Sequence, residues 1–172
     1  MKVITISFLS LVAIGEVVSP FGLHINYTKS APMGLWIERP AVSLKRGSMV
    51  SICPPSVPIV KDLTEQGRLS PGDCAETGAR PLLKPVAAME GDMVRIRLGQ
   101  PVYINNRALS NSLPASGLSA WPDGDYTVSP GEVWVFSDYS NRSFDSRYFG
   151  PVSVSDIRAE VKPLLVFNDK EN

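Results

Sequence analysis

Hydrophobic and polar positions alternate in short runs along most of the chain, and the runs end at Gly, Pro, Asn or Asp. Alternation of this kind sends successive side chains to opposite faces of a strand. It predicts strands over Gly34–Glu38, Ser48–Cys53, Leu82–Ala88, Asp92–Leu98, Pro101–Asn105, Glu132–Ser137 and Ile157–Phe167. Asp92–Leu98 alternates well, with Val94, Ile96 and Leu98 on one side and Arg95 and Arg97 on the other. The Gly99-Gln100 step that follows predicts a tight hairpin into Val102–Ile104. Only Val60–Gly67 resembles a helix, and it is short. The segments 54–80 and 106–131 show no period, and structureless stretches of that length in a compact domain are usually functional or pinned. The pattern predicts a mostly β, antiparallel or partly closed architecture with long loops.

Composition narrows this picture. A chain of 172 residues allows one compact domain. With 44% hydrophobic and 20% charged residues it is globular rather than disordered. Fifteen prolines and thirteen glycines argue against helical architecture, because proline removes a backbone donor and breaks helix interiors. Seventeen basic residues balance seventeen acidic ones, so no basic face is expected and nucleic acid is excluded as a partner.

The first 23 residues stand apart. Lys2 precedes thirteen uncharged, mostly apolar residues from Val3 to Gly15, and after Glu16 the apolar run resumes with Val17, Val18, Phe21 and Leu23. A full span needs about 20 apolar residues, so Val3–Gly15 alone is short. Three readings stand: a retained membrane anchor, a cleaved signal peptide without a clear A-x-A-like site, and a buried element of the domain. The anchor over 1–23 is the reading carried forward, with Lys2 holding the N-terminus in the cytoplasm and residues 24–172 forming the exported domain.

Cys53 and Cys74 both lie in turn-rich sequence and frame the Pro/Gly-rich excursion 54–80. In an exported domain an even count of cysteines points to one disulfide; the alternative is two unpaired buried thiols. Neither belongs to a C-x-x-C pair and His24 is the only histidine, so a zinc site lacks ligands. No phosphate-binding, zincin or G-x-S-x-G motif is present. His24 reads as an interfacial polar residue rather than a general base. A serine can be activated instead by an uncharged lysine whose pKa is lowered by burial or nearby cations. Lys84, inside Pro81-Leu82-Leu83-Lys84-Pro85-Val86-Ala87-Ala88-Met89, fits that requirement, although lysines on half-exposed strands are common.

Three segments sharpen this reading. Asn26-Tyr27-Thr28-Lys29-Ser30-Ala31-Pro32-Met33-Gly34-Leu35-Trp36 resembles the nucleophile box of the conjugative-transfer signal peptidases of TraF type. Lys84-Pro85-Val86-Ala87-Ala88-Met89-Glu90-Gly91-Asp92 resembles the lysine box of the wider type I signal peptidase family. Ser143-Phe144-Asp145-Ser146-Arg147-Tyr148-Phe149-Gly150-Pro151 resembles that family's C-terminal box. The three occur in the family's order and spacing across residues 26–151. Two positions depart from the pattern: Pro85 stands where Arg is usual, and Glu90 where Pro is common. Pro85 removes a backbone donor, which an edge position in the sheet would tolerate.

The resemblance implies a signal-peptidase-like antiparallel β fold whose active-site edge rests on the membrane. It implies Ser30 as nucleophile and Lys84 as general base. The Ser30 N–H, with the Thr28 hydroxyl, would stabilise the oxyanion, and Ser143 would hold the Lys84 nitrogen. Asp145 and Arg147 would pair to brace the wall of the site, and Gly91 and Asp92 would shape the turn after the lysine strand. Trp36, Trp121 and Trp134 read as core or interfacial residues. The implied activity is a membrane-anchored serine endopeptidase of the inner membrane, facing the periplasm. It would mature an exported precursor, a conjugative pilin by resemblance, by cleavage or by cyclisation through the substrate's own N-terminus. It requires no cofactor. The competing readings are a general leader peptidase and a catalytically idle scaffold of a secretion apparatus.

Overall fold

The computed structural model describes residues 22–26 and 30–167. Their strands are β1 (Leu23–Asn26), β2 (Gly34–Arg39), β3 (Met49–Ile52), β4 (Leu82–Met89), β5 (Met93–Ile96), β6 (Tyr103–Ile104), β7 (Arg107–Ala108), β8 (Gly124–Thr127), β9 (Glu132–Val135), β10 (Val152–Ser153) and β11 (Ile157–Val166). The helices are α1 (Pro58–Glu65) and α2 (Ser146–Phe149). Seven strands form one sheet in the order β1-β2-β11-β3-β4-β9-β10, and four form a second in the order β7-β6-β5-β8. Every pairing is antiparallel. The architecture is therefore mostly β, as the alternation predicts.

Strand β4 organises the whole. Its alternation buries Lys84, Val86 and Ala88 and leaves Leu83, Pro85, Ala87 and Met89 half-buried. Over Leu82–Pro85 it pairs with β3, and over Val86–Met89 with β9. The strand thus changes partner at its midpoint, and so it serves two cores. Val86 packs with Val50, Ile52, Val133, Val135 and Phe149, while Ala88 packs with Val94, Ile96, Trp134 and Phe136. Full burial of each large apolar side chain in these clusters contributes roughly 1.5–3 kcal/mol. Trp36 and Trp134 are both buried, and Trp121 meets Trp134 edge-on at 6.4 Å.

Three expectations need correction. First, β5 ends at Ile96, and Leu98 is 80% exposed rather than on the buried side. Its N–H is taken by the Asp123 carboxylate at 2.9 Å, which draws the chain out of the alternating path. Second, Gly99-Gln100 is not a two-residue hairpin, because residues 97–102 form a wider loop before β6. The turn is closed by Gln100 N–H to Arg97 O at 3.1 Å, so Leu98 and Gly99 are its central residues. Positive φ falls at the second of them, Gly99 (φ 71°), instead of at the first, as the two-residue hairpin turns require. The tight turn comes one strand later, at Asn105 (φ 49°) and Asn106 (φ 65°), joining β6 to β7. Asparagine tolerates that region better than other residues with a side chain. Segment 106–131 is accordingly not structureless, since it carries β7 and β8. Third, Pro85 lies in an interior strand of the sheet, not at its edge. It is accommodated because the pairing with β9 begins only at Val86, so Leu82–Pro85 has a single partner strand.

Helix α1 starts two residues earlier than its apolar spacing predicts, with Pro58 in the first turn, where a missing N–H costs nothing. The expected boundary between residues 23 and 24 falls within β1, and residues 1–21 of the expected anchor lie outside the described residues. Among the described residues no helix is long and apolar enough to cross a membrane.

Cys53 and Cys74 form a disulfide, with Cα atoms 5.5 Å apart. It closes residues 54–73 of the segment 54–80, which is further tied by a bridge between Pro71 and Ala79 and by an ion pair between Asp73 and Arg158 of β11. Closing a loop of 21 residues restricts the unfolded chain by about 3 kcal/mol. Reduction of the bond, or Cys53→Ser with Cys74→Ser, is expected to lower Tm by roughly 6–12 °C. Calorimetry with and without reductant checks this, and an unchanged Tm would show that the other ties suffice.

Candidate active site

Residues 30–32 form the turn between β1 and β2, and side chains rather than a backbone ladder hold its carbonyls. Asn26, at the end of β1, donates its amide N–H groups to Ala31 O and Pro32 O, each at 3.0 Å. Trp36 Nε1 donates to Pro32 O at 3.1 Å, and Ser137 Oγ donates to Ser30 O at 2.6 Å. Gly34 closes the turn at φ 151°, and a Cβ there would lie 2.0 Å from Leu165 O of β11, so only glycine lets β11 approach. Thr28 lies outside the described residues.

Lys84 enters from β4, where it is paired with Val50 of β3. The residue is 4% exposed. Its ammonium donates to Ser143 Oγ at 3.0 Å. Burial lowers its pKa to about 8; Asp145 opposes that shift and Arg147 adds to it. Ser30 and Lys84 line one cavity of about 190 Å³, together with Asn26, Leu82, Leu83 and a wall from the disulfide-closed segment. That wall includes Arg68, Leu69 and Ser70, which no sequence motif marks.

Behind Ser143 lies an ion pair without solvent contact. Arg147 Nε donates to Asp145 Oδ1 at 2.7 Å and Nη2 to Oδ2 at 2.9 Å, and both side chains are fully buried. The remaining three donors of the guanidinium go to main-chain carbonyls, Nη1 to Asn111 O and, at 3.4 Å, to Leu113 O, and Nη2 to Ser137 O. Asp145 also accepts from the N–H of Ser137 at 3.1 Å and caps α2 by accepting from the N–H of Arg147. Complete satisfaction of this kind is what a buried pair needs to offset its desolvation.

Beyond the lysine strand, Gly91 turns the chain at φ 82°. Asp92 accepts from Met89 N–H at 2.8 Å, from Arg46 Nε at 2.7 Å and from Asn105 Nδ2 at 2.7 Å. The Arg46 guanidinium, first among these, holds the carboxyl at about 2. The turn is thereby fixed to the loop before β3 and to the β6–β7 hairpin. The two cysteines line a different cavity from Ser30 and Lys84.

Sequence reasoning assigned no role to Asn26 or Ser137. Asn26 opens the nucleophile box, so its position in that motif was the available signal. Ser137 lies outside the boxes and had none.

A serine and a desolvated lysine thus face one cavity in an antiparallel β framework, and comparisons with known proteins give the family. The model of the family described as signal peptidase, peptidase S26, matches residues 1–165, and the chain belongs to that family of proteases. The conjugal transfer protein TraF of Agrobacterium tumefaciens (strain 15955) is 35% identical over 156 residues, covering 86% of this chain and 84% of that protein. A plasmid transfer protein TraF from Escherichia coli is 36% identical over 152 residues, covering 85% and 84%. A probable conjugal transfer protein TraF of Sinorhizobium fredii is 31% identical over 169 residues, covering 92% and 86%. The crystal structure of a signal peptidase I from Enterococcus faecalis aligns with a TM-score of 0.41 at 19% identity, covering 69% of this chain and 96% of that one.

The lowered lysine pKa has a thermodynamic consequence. Between about 8 and the ordinary value of 10.5 the unfolded chain binds a proton that the folded chain does not, so stability rises with pH across that window. Below it, the buried charge costs up to about 3 kcal/mol. Lys84→Met, which keeps the length and removes the charge, is expected to raise Tm at pH 7. Its advantage should shrink as the pH climbs through the window. Melting curves of both proteins at several pH values check this, and a pH-independent difference would contradict it.

Proposed function

We propose that this protein is a membrane-associated serine endopeptidase working through a Ser30/Lys84 dyad, and that it matures an exported precursor during conjugative DNA transfer. The single observation that carries the reading is Lys84: buried, held by Ser143, lowered to a pKa of about 8, and facing the same cavity as Ser30. A lysine in that condition is neutral often enough near physiological pH to accept a hydroxyl proton.

In this mechanism Ser30 Oγ attacks the scissile carbonyl and its proton passes to Lys84 Nζ. The oxyanion is met by the Ser30 N–H and the Thr28 hydroxyl. Collapse expels the amine, which takes the proton from Lys84, and leaves an ester on Ser30. A water molecule, deprotonated by Lys84, then releases the acid. An amine can take the place of that water, and the substrate's own N-terminus would yield a cyclic product. Ser143 keeps Nζ directed at the cavity, and the Asp145–Arg147 pair fixes the wall that carries Ser143.

The relatives are conjugal and plasmid transfer proteins, which favours a transfer-system precursor, and a pilin is the substrate we assign. The small volume of the cavity suits small residues beside the scissile bond. Placement at the inner membrane, with the site in the periplasm, is supported by an apolar row next to the Ser30 turn, exposed except at the half-buried Leu35. Ile25 of β1 pairs with Leu35 of β2, which pairs with Leu165 of β11, and Leu164, Val166 and Phe167 extend that edge. Apolar surface of this sort, in a chain whose sequence opens on an apolar run, fits the face of a bilayer.

Intact masses of a co-expressed pilin precursor test the reading. Wild type is expected to process it, with Ser30→Ala and Lys84→Ala each slower by at least about a thousandfold. A product one water lighter than the cut peptide would show cyclisation. Processing retained in both variants would remove the dyad and leave a scaffold. For the active enzyme, kcat/KM should rise with pH to a plateau above about 8, because only the neutral lysine accepts the proton. A flat profile from mildly acidic to alkaline pH would contradict Lys84 as base.

A further inference from the structure

The Ser30 turn and the Lys84 nitrogen are held by the two ends of one loop. At its start, Ser137 is fully buried and both its main-chain groups are fixed by the ion pair, its N–H to Asp145 and its carbonyl to Arg147. Its hydroxyl accepts from the N–H of Tyr139 at 3.2 Å and donates its one proton to Ser30 O at 2.6 Å. Six residues on, Ser143 Oγ accepts from Lys84 Nζ. Between them the loop is tightened by Ser143 N–H to Ser140 O at 3.2 Å and Arg142 N–H to Ser140 Oγ at 3.1 Å.

We infer that Ser137 is a positioning residue for Ser30, and that the loop 137–143 acts as a gauge setting the separation of nucleophile and base. The inference rests on the Ser30/Lys84 reading above. The physical reason lies in the Ser30 peptide plane. Its carbonyl direction fixes the orientation of the residue, and with it where Oγ stands relative to Nζ. Asn26 holds the next two carbonyls and Ser137 holds that of Ser30, so loss of the Ser137 hydroxyl leaves the anchors at Ala31 and Pro32 in place and releases this one carbonyl. A displacement of the nucleophile by about 1 Å is enough to slow chemistry severely. Because Asp145 and Arg147 grip only the main chain of Ser137, replacing its side chain leaves the ion pair and the Ser143–Lys84 bond in place.

Ser137→Ala in the full-length, membrane-extracted protein tests this. Rates are taken per active enzyme by titrating Ser30 with an acylating inhibitor. The expected result is a kcat lowered by about 10- to 100-fold with KM changed less than about twofold. The midpoint of the pH profile should stay where wild type has it, since the surroundings of Lys84 are untouched. A kcat within about twofold of wild type would overturn the inference. So would a loss carried by a moved midpoint, which would mean that Ser137 acts through the base. Should the alanine variant fail to accumulate, Ser137→Cys, of similar shape and weaker donor strength, carries the same comparison. Ser30→Ala run alongside separates the two claims. If Ser30→Ala retains activity, the dyad reading has failed. If it is inactive while Ser137→Ala is at full speed, only the role of Ser137 has failed.

Discussion

The arrangement of the site depends on the fork between Arg147 and Asp145. Two opposite charges taken fully out of water are costly to bury unless their remaining hydrogen-bonding capacity is met. Here it is met by the main chain of other segments: Asn111, Ser137 and the first turn of α2. The pair is therefore less a contact between two residues than a junction of three stretches of chain, and Ser143 and Ser137 both descend from it. Losing either partner would strand a charge with no solvent to receive it.

The same pair makes a depressed lysine feasible. A lone carboxylate beside Lys84 would hold the ammonium charged and useless as a base, and a lone guanidinium would repel it. With both present the two effects oppose each other, and desolvation is left as the deciding influence. Desolvation is in turn a property of β4. That strand buries its Lys84 face by the ordinary alternation that buries Val86 and Ala88 beside it. A core position is thus occupied by a group that does not belong there, at a cost in stability that an apolar residue would avoid.

How much of this was legible beforehand follows from the range of the interactions involved. The strands around Val50, Val86 and Val133 are written in local alternation, and Lys84 was conspicuous because it sits inside an apolar run. Features set by turn geometry were less accessible. Asn105-Asn106 rather than Gly99-Gln100 makes the tight hairpin, with positive φ at both of its central residues, and glycine content alone does not report where such a turn falls. The position of Pro85 could not be read at all. Whether it lies at an edge depends on where β9 begins to pair, which is a fact about residues fifty positions away. Arg68, Leu69 and Ser70 reach the cavity for a similar reason, since a segment with no period betrays nothing about where its closing disulfide brings it.

Ser137 marks the limit of reading a motif residue by residue. The boxes around Ser30, Lys84 and Ser143 name groups that would touch the reacting atoms or their nearest partners. None names the group that holds the Ser30 carbonyl, because that task falls to whichever side chain the fold delivers. The delivery depends on the ion pair having already immobilised the backbone of Ser137, leaving only χ1 and the hydroxyl rotor to settle. Its acceptance from Tyr139 then leaves Ser30 O as the direction for its proton. A rigid buried charge pair thereby converts one serine hydroxyl into a fixed reference for another. The accuracy that the proposed two-residue site requires would come from hydrogen bonds to the main chain, and these leave little trace in residue identity.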